Sequence, residues 1–184
     1  MKKTWLAVLL VVVVFALYTG TTYNGLVTAN ETVDAQWAKV ETQYQRRFDL
    51  IPNLVNSVKG VLTQEQTIFT EIADARTRYA GATTADEKAA AASQVETSLG
   101  RLLVIVENYP VLTSSTVVRD LMSQLEGTEN RISVERSRFN DEIRSYNLSV
   151  KRFPKSLIAL LFGFGERSYF EAVEGGDTVP TVNL

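Results

Sequence analysis

Apolar side chains along this chain follow two patterns. From Trp5 to Tyr18 they are almost continuous, and from Val33 onward they return every three or four residues, the repeat of one helix face. No charged residue occurs from Thr4 to Asn30. As a helix rising 1.5 Å per residue, Trp5 to Tyr23 would cover about 28 Å, close to a hydrocarbon core, with Trp5 and Tyr18 or Tyr23 near the two interfaces. The pattern predicts a transmembrane anchor over residues 1–23. A cleaved signal peptide shares the charged start and apolar run. Tyr18 and Thr19 interrupt any small-x-small cleavage pattern after Ala16, which favours an uncleaved span. Lys2 and Lys3 favour a cytoplasmic N-terminus and a following domain on the other side of the membrane.

The periodic part predicts an all-α domain over 24–152, an antiparallel up-and-down four-helix bundle with helices at about 24–48, 52–80, 84–108 and 114–152. The stretch from Arg46 to Gly60, RRFDLIPNLVNSVKG, carries the first junction. Pro52 suits the first turn of a helix and is poor in an interior, so a break falls near 49–51, with Asp49 as a cap. The apolar spacing also continues through Pro52, which a single kinked helix would produce. Both arrangements satisfy the pattern. Gly81 supplies a stop for the second helix, and Thr84-Ala-Asp-Glu87 is a capping box for the third. Tyr109-Pro110 ends the third helix. In the fourth, Gly127 weakens the helix by roughly 1 kcal/mol relative to alanine, so either a neighbour approaches closely or a bend is tolerated.

Pro154 ends the periodic pattern, and a short apolar segment follows within 153–174. Its core, Leu157 to Phe164, is flanked by Lys151, Arg152 and Lys155 and is too short to span a bilayer. It serves either as an interfacial anchor or as a lid on the end of the bundle. Candidate membrane contacts are therefore Trp5, Tyr18, Lys155, Leu157, Leu160, Leu161, Phe162 and Phe164. Residues 175–184 read as a flexible end.

Composition removes most chemistry. Cysteine and histidine are both absent from the 184 residues, which excludes disulfides, thiol nucleophiles, Ser-His dyads and the Glu-x-x-His metal sites of helix bundles. No loop has calcium-ligand spacing. No catalytic, cofactor or metal site is expected, and the chain is read as a non-enzyme. Without Lys2 and Lys3, 17 cations stand against 21 anions, which disfavours nucleic acid. The remaining candidates are for interaction: Arg46, Arg47 and Asp49 at the junction, and Glu129, Asn130 and Arg131 in LEGTENR. The alternating charges from Glu126 to Arg138 fit a solvated, self-paired face. Alternatively Glu129, Asn130 or Arg136 reaches inward and sets helix register against Arg46, Arg47 or Glu107. Trp37 is read as a core side chain.

Several of these segments together resemble the LemA family of bacterial membrane proteins: YNGLV at 23–27, QRRFDLIPNLVNSVKG from Gln45, ENYP at 107–110, LEGTENRI at 125–132, and the YN, FP, FGF and YFEA elements toward the end. The resemblance implies one N-terminal transmembrane helix in the bacterial inner membrane, a four-helix bundle outside the bilayer, and no established enzymatic activity. It also implies a membrane-protein partner, since family members often accompany membrane metalloproteases. VLTQEQ at 61–66 and VLTSSTVVRDL at 111–121 are more hydroxyl-rich and less charged than the family pattern. The functional expectation is a membrane-anchored scaffold or interaction module of the cell envelope, binding the bilayer and another membrane protein or further copies of itself. The alternative is a protein organising the membrane surface through residues 151–164.

Overall fold

A computed structural model describes residues 2–170. Six helices and no strands occur among them: α1 (Lys2–Val58), α2 (Gln66–Gly81), α3 (Ala85–Glu107), α4 (Pro110–Thr113), α5 (Thr116–Lys151) and α6 (Lys155–Phe162). The reading of residues 171–184, including the flexible end, lies outside the described residues.

The expected break at 49–51 is absent. α1 continues through Pro52 to Val58, and Asp49 is no cap but accepts a hydrogen bond from Gln45 Nε2 one turn earlier, at 2.8 Å. A proline in a helix interior costs about 3 kcal/mol. Phe48, Ile51, Leu54 and Val58 are buried on the same stripe as Val40 and Tyr44, and each such burial is worth about 1.5–3 kcal/mol, so packing outweighs the lost backbone bond. The chain turns at 59–65 instead. Val61 and Leu62 N–H groups both bond the Val58 carbonyl at 3.0 Å, and Leu62 plugs the core while Val61 is exposed. The second helix accordingly begins at Gln66, not near residue 52, and ends at Gly81 as expected, though Gly81 is itself helical and the extended Ala82 makes the stop in place of a left-handed glycine.

The start of α3 follows from its capping box. Thr84 Oγ1 accepts from the Glu87 N–H, and Glu87 Oε2 accepts from the Thr84 and Thr83 N–H groups. These bonds hold the Glu87 carboxyl below its ordinary value. Pro110 opens α4, where its missing N–H costs nothing. α6 ends at Gly163, whose φ of 75° is the left-handed conformation that favours glycine.

The described residues divide into two compact units, 2–38 with 137–169, and 39–136 with 170; α1 and α5 each contribute to both. The first unit buries Leu26 and Val33 of α1, Phe139, Ile143 and Tyr146 of α5, and Ile158 and Ala159 of α6. Trp37, read as a core side chain, is only half-buried, its ring 5.2 Å from that of Phe139 at the margin of this core. From Trp5 to Leu17 the apolar side chains of α1 are exposed, and this is the one described helix long and apolar enough to cross a membrane. Hydroxyls beyond that run are satisfied within the helix: Thr19 and Thr21 donate to the carbonyls of Phe15 and Leu17 at 2.9 and 3.0 Å.

The second unit packs the rest of α1 with α2, α3, α4 and the first half of α5. Tyr44, Phe48 and Tyr79 form its aromatic cluster, with the Phe48 and Tyr79 rings edge to face at 4.5 Å.

Candidate functional site

Consecutive charged residues on α1 are sorted to opposite environments. Arg47 lies on the stripe of Tyr44, Ile51 and Leu54 and is 7% exposed, while Arg46 and Asp49 are exposed. The buried guanidinium meets Glu96 of α3 at 3.3 Å and pairs closely with Glu129 of α5. Arg136, two turns further along α5, pairs closely with the same Glu96 oxygen. It also donates from Nε and Nη2 to the Tyr44 hydroxyl at 2.9 and 2.6 Å. Glu129 and Arg136 therefore reach inward, and Glu96 joins two guanidiniums at one oxygen.

Burial raises the Glu96 carboxyl above its ordinary value, against the pull of Arg136 and Arg47. Burial also raises the Tyr44 hydroxyl, and pushes Tyr79 up to about 12. Arg47 Nε is buried without a hydrogen-bond partner. Such a set of paired charges rigidifies a core. Among the described residues no three acidic side chains gather as a metal site.

The outward residues line a groove of about 500 Å³ between α1 and α5: Arg46, Asp49 and Leu50 on one wall, and Ser123, Gln124, Gly127, Thr128 and Arg131 on the other. Arg46 and Arg131 form no ion pair among the described residues. A side-chain carbon at Gly127 would meet nothing within 4 Å, so this glycine widens the groove and is not required by a close neighbour. Asn130 is exposed but does not line the groove. A second groove of about 500 Å³ runs beside Arg47 and Glu129, bounded by Glu107, Arg119, Met122 and Glu126.

The candidate membrane residues fall in the first unit. Trp5 is exposed on α1 and Tyr18 half-buried; Lys155, Leu157, Leu160, Leu161 and Phe162 are exposed on α6, and Phe164 is half-buried just beyond it. A clasp that the sequence did not announce fixes this region. Asn147, buried on α5, donates to the Arg167 carbonyl and accepts from the Arg167 N–H, both at 2.9 Å. The Arg167 guanidinium reaches Asn30 at 3.1 Å and Asp34 at 2.7 Å on α1. The only sequence signal was that Asn147 follows Ile143 and Tyr146 on the buried stripe, where an amide needs a partner.

Together these features define an all-helical protein with an N-terminal helix able to cross a membrane and a helical unit cross-braced by buried ion pairs. The chain belongs to the LemA family, whose model matches residues 36–184. It is 28% identical over 182 residues to Magnetosome protein MamQ 1 and Magnetosome protein MamQ 2 of Paramagnetospirillum magneticum. The same 28% holds for Magnetosome protein MamQ of Magnetospirillum gryphiswaldense, and each comparison covers 85% of this chain and 67% of the relative.

Proposed function

We propose that this chain is a membrane-anchored, non-catalytic interaction protein that offers the groove at Arg46, Asp49 and Arg131 to another protein. The observation that carries this reading is the sorting of charge on adjacent residues. Arg47 and Glu129 are consumed in internal pairing, whereas Arg46 and Arg131 stand unpaired on the walls of an open groove with an apolar element, Leu50, between them. Two unpaired arginines are matched by anionic acceptors, so the partner presents acidic side chains to Arg46 and Arg131 and a donor to Asp49. Residues 39–58, α2, α3 and 116–136 are read as an up-and-down four-helix bundle that displays this groove. α1 is read as a single span of the bacterial inner membrane with its N-terminus in the cytoplasm, following Lys2 and Lys3. Family membership supports a non-enzymatic role, since the relatives' names refer to a cellular structure and to no reaction. By association within the family, a membrane metalloprotease is the first partner to test.

A photo-cross-linker placed at Gln124 in membranes containing the full chain tests the groove. A discrete adduct that disappears with Arg131→Glu, while the thermal transition is unchanged, is expected. Equal adducts from a cross-linker at Gln124 and from one at Thr97 on α3, or an adduct indifferent to Arg131→Glu, would overturn the assignment. An adduct with a second copy would replace the separate partner with self-association.

A further inference from the structure

α6 is apolar on both of its faces, yet the described residues cover only one. Ile158 and Ala159 are buried, whereas Leu157, Leu160 and Leu161, at the spacing of one helix face, are 59%, 82% and 74% exposed. A helix apolar all round is ordinarily buried all round. What covers the second face is indicated by Tyr23. Its ring lies 4.9 Å from Phe162 and 5.7 Å from Phe164, so the end of α6 is tied to α1 at Tyr23. Tyr23 stands about 27 Å along the helix from Trp5, one hydrocarbon thickness, at the level where tyrosine marks a membrane interface. The Asn147–Arg167 clasp then holds the chain after α6 against α1 and α5.

We infer that α6 is an interfacial helix, seated in the bilayer surface beside the point where α1 leaves it, with Leu157, Leu160 and Leu161 in the outer acyl region. Phe153, exposed just before the helix, extends the apolar face. Arg152, between α5 and α6, and Lys155, the first residue of α6, are exposed and lie at headgroup phosphates. At eight residues the helix cannot cross the membrane, but it can lie in it. The occupant of the face is thus lipid, in continuity with the exposed apolar surface of α1. The inference rests on α1 spanning the membrane.

The full chain, reconstituted in phosphatidylcholine vesicles containing phosphatidylglycerol, allows both readings to be tested separately. Because the chain has no cysteine, Leu160→Cys, Leu161→Cys and Val12→Cys can each carry a single environment-sensitive fluorophore. Spin-labelled lipids quenching near the headgroups are expected to dim the labels at 160 and 161, and lipids quenching near the bilayer centre to dim the label at 12. Quenching at 12 with none at 160 and 161 would overturn the seating of α6 while leaving the span intact. Cross-linking of Leu160→Cys to itself in that case would give the face to a second copy. No quenching at 12 would overturn the span, and the inference with it. A further expectation is weaker quenching at 160 with Arg152→Glu and Lys155→Glu together; unchanged quenching would remove these side chains from the contact.

Discussion

Arg47 and Glu129, 82 positions apart, close an ion pair inside the second unit, while Arg46 beside one and Arg131 near the other face solvent. A cation buried with two carboxylates is worth little as a source of net stability, because desolvation offsets the attraction. Removing Arg47 is another matter, since Glu129 then loses its partner and Glu96 keeps only Arg136.

Arg47→Ala is therefore expected to destabilise the protein by about 3 kcal/mol, at the low end for a broken buried pair because Glu129 is partly exposed. Arg46→Ala should cost less than about 0.5 kcal/mol. Denaturant unfolding of the two variants checks the difference. Equal small effects would show that water reaches the Glu96 and Glu129 carboxylates once Arg47 is gone.

Tyr79 gives a pH dependence of definite sign. Its hydroxyl rises from 10.0 to about 12, chiefly through burial, with Glu41 adding to the effect. The folded state thus holds this proton more tightly than the unfolded state. The associated stability is fully present below pH 10 and is lost as pH rises toward 12. Thermal unfolding across that window should show the loss, and Tyr79→Phe should reduce it, leaving the share carried by the Tyr44 hydroxyl, which burial also raises.

Pro52→Ala restores a backbone donor in the middle of α1. The helix should gain up to about 3 kcal/mol, reduced by the greater freedom of the unfolded alanine chain. A higher melting temperature is expected. A lower one would mean that the packing of Ile51 and Leu54 depends on the proline itself.

Asn147→Ala removes both bonds to the Arg167 backbone and strands part-buried backbone groups, at a cost of about 1 kcal/mol. Hydrogen exchange at the Arg167 amide should accelerate. Protection unchanged from wild type would show that the Arg167 guanidinium alone holds the segment through Asn30 and Asp34.

Gly81→Cys reports orientation. A side chain there meets nothing within 4 Å, so the substitution should leave the fold intact. Labelling of intact cells by an impermeant maleimide is expected if the second unit lies outside the cytoplasm. Protection until lysis would reverse the orientation.

Much of this protein was legible along the chain, and the limit of that reading has a physical cause. The apolar run from Trp5, the 3/4 spacing, the Thr84–Glu87 box and Gly81 are local signals: each depends on residues within a turn or two, so the sequence by itself determined the all-α class, the membrane-length stretch and most helix ends. Pro52 was decided otherwise. Its local preference for a helix start was overruled by burial of Phe48, Ile51, Leu54 and Val58 on one continuous stripe, a gain realised only against side chains distant in sequence. The same holds for charge. RRFD and LEGTENR marked a region, but which of Arg46 and Arg47 turns inward depends on Glu96 and Glu129 being brought across from α3 and α5. The clasp between Asn147 and Arg167, and the uncovered face of α6 beside Tyr23, likewise exist only once helices far apart in the chain lie side by side.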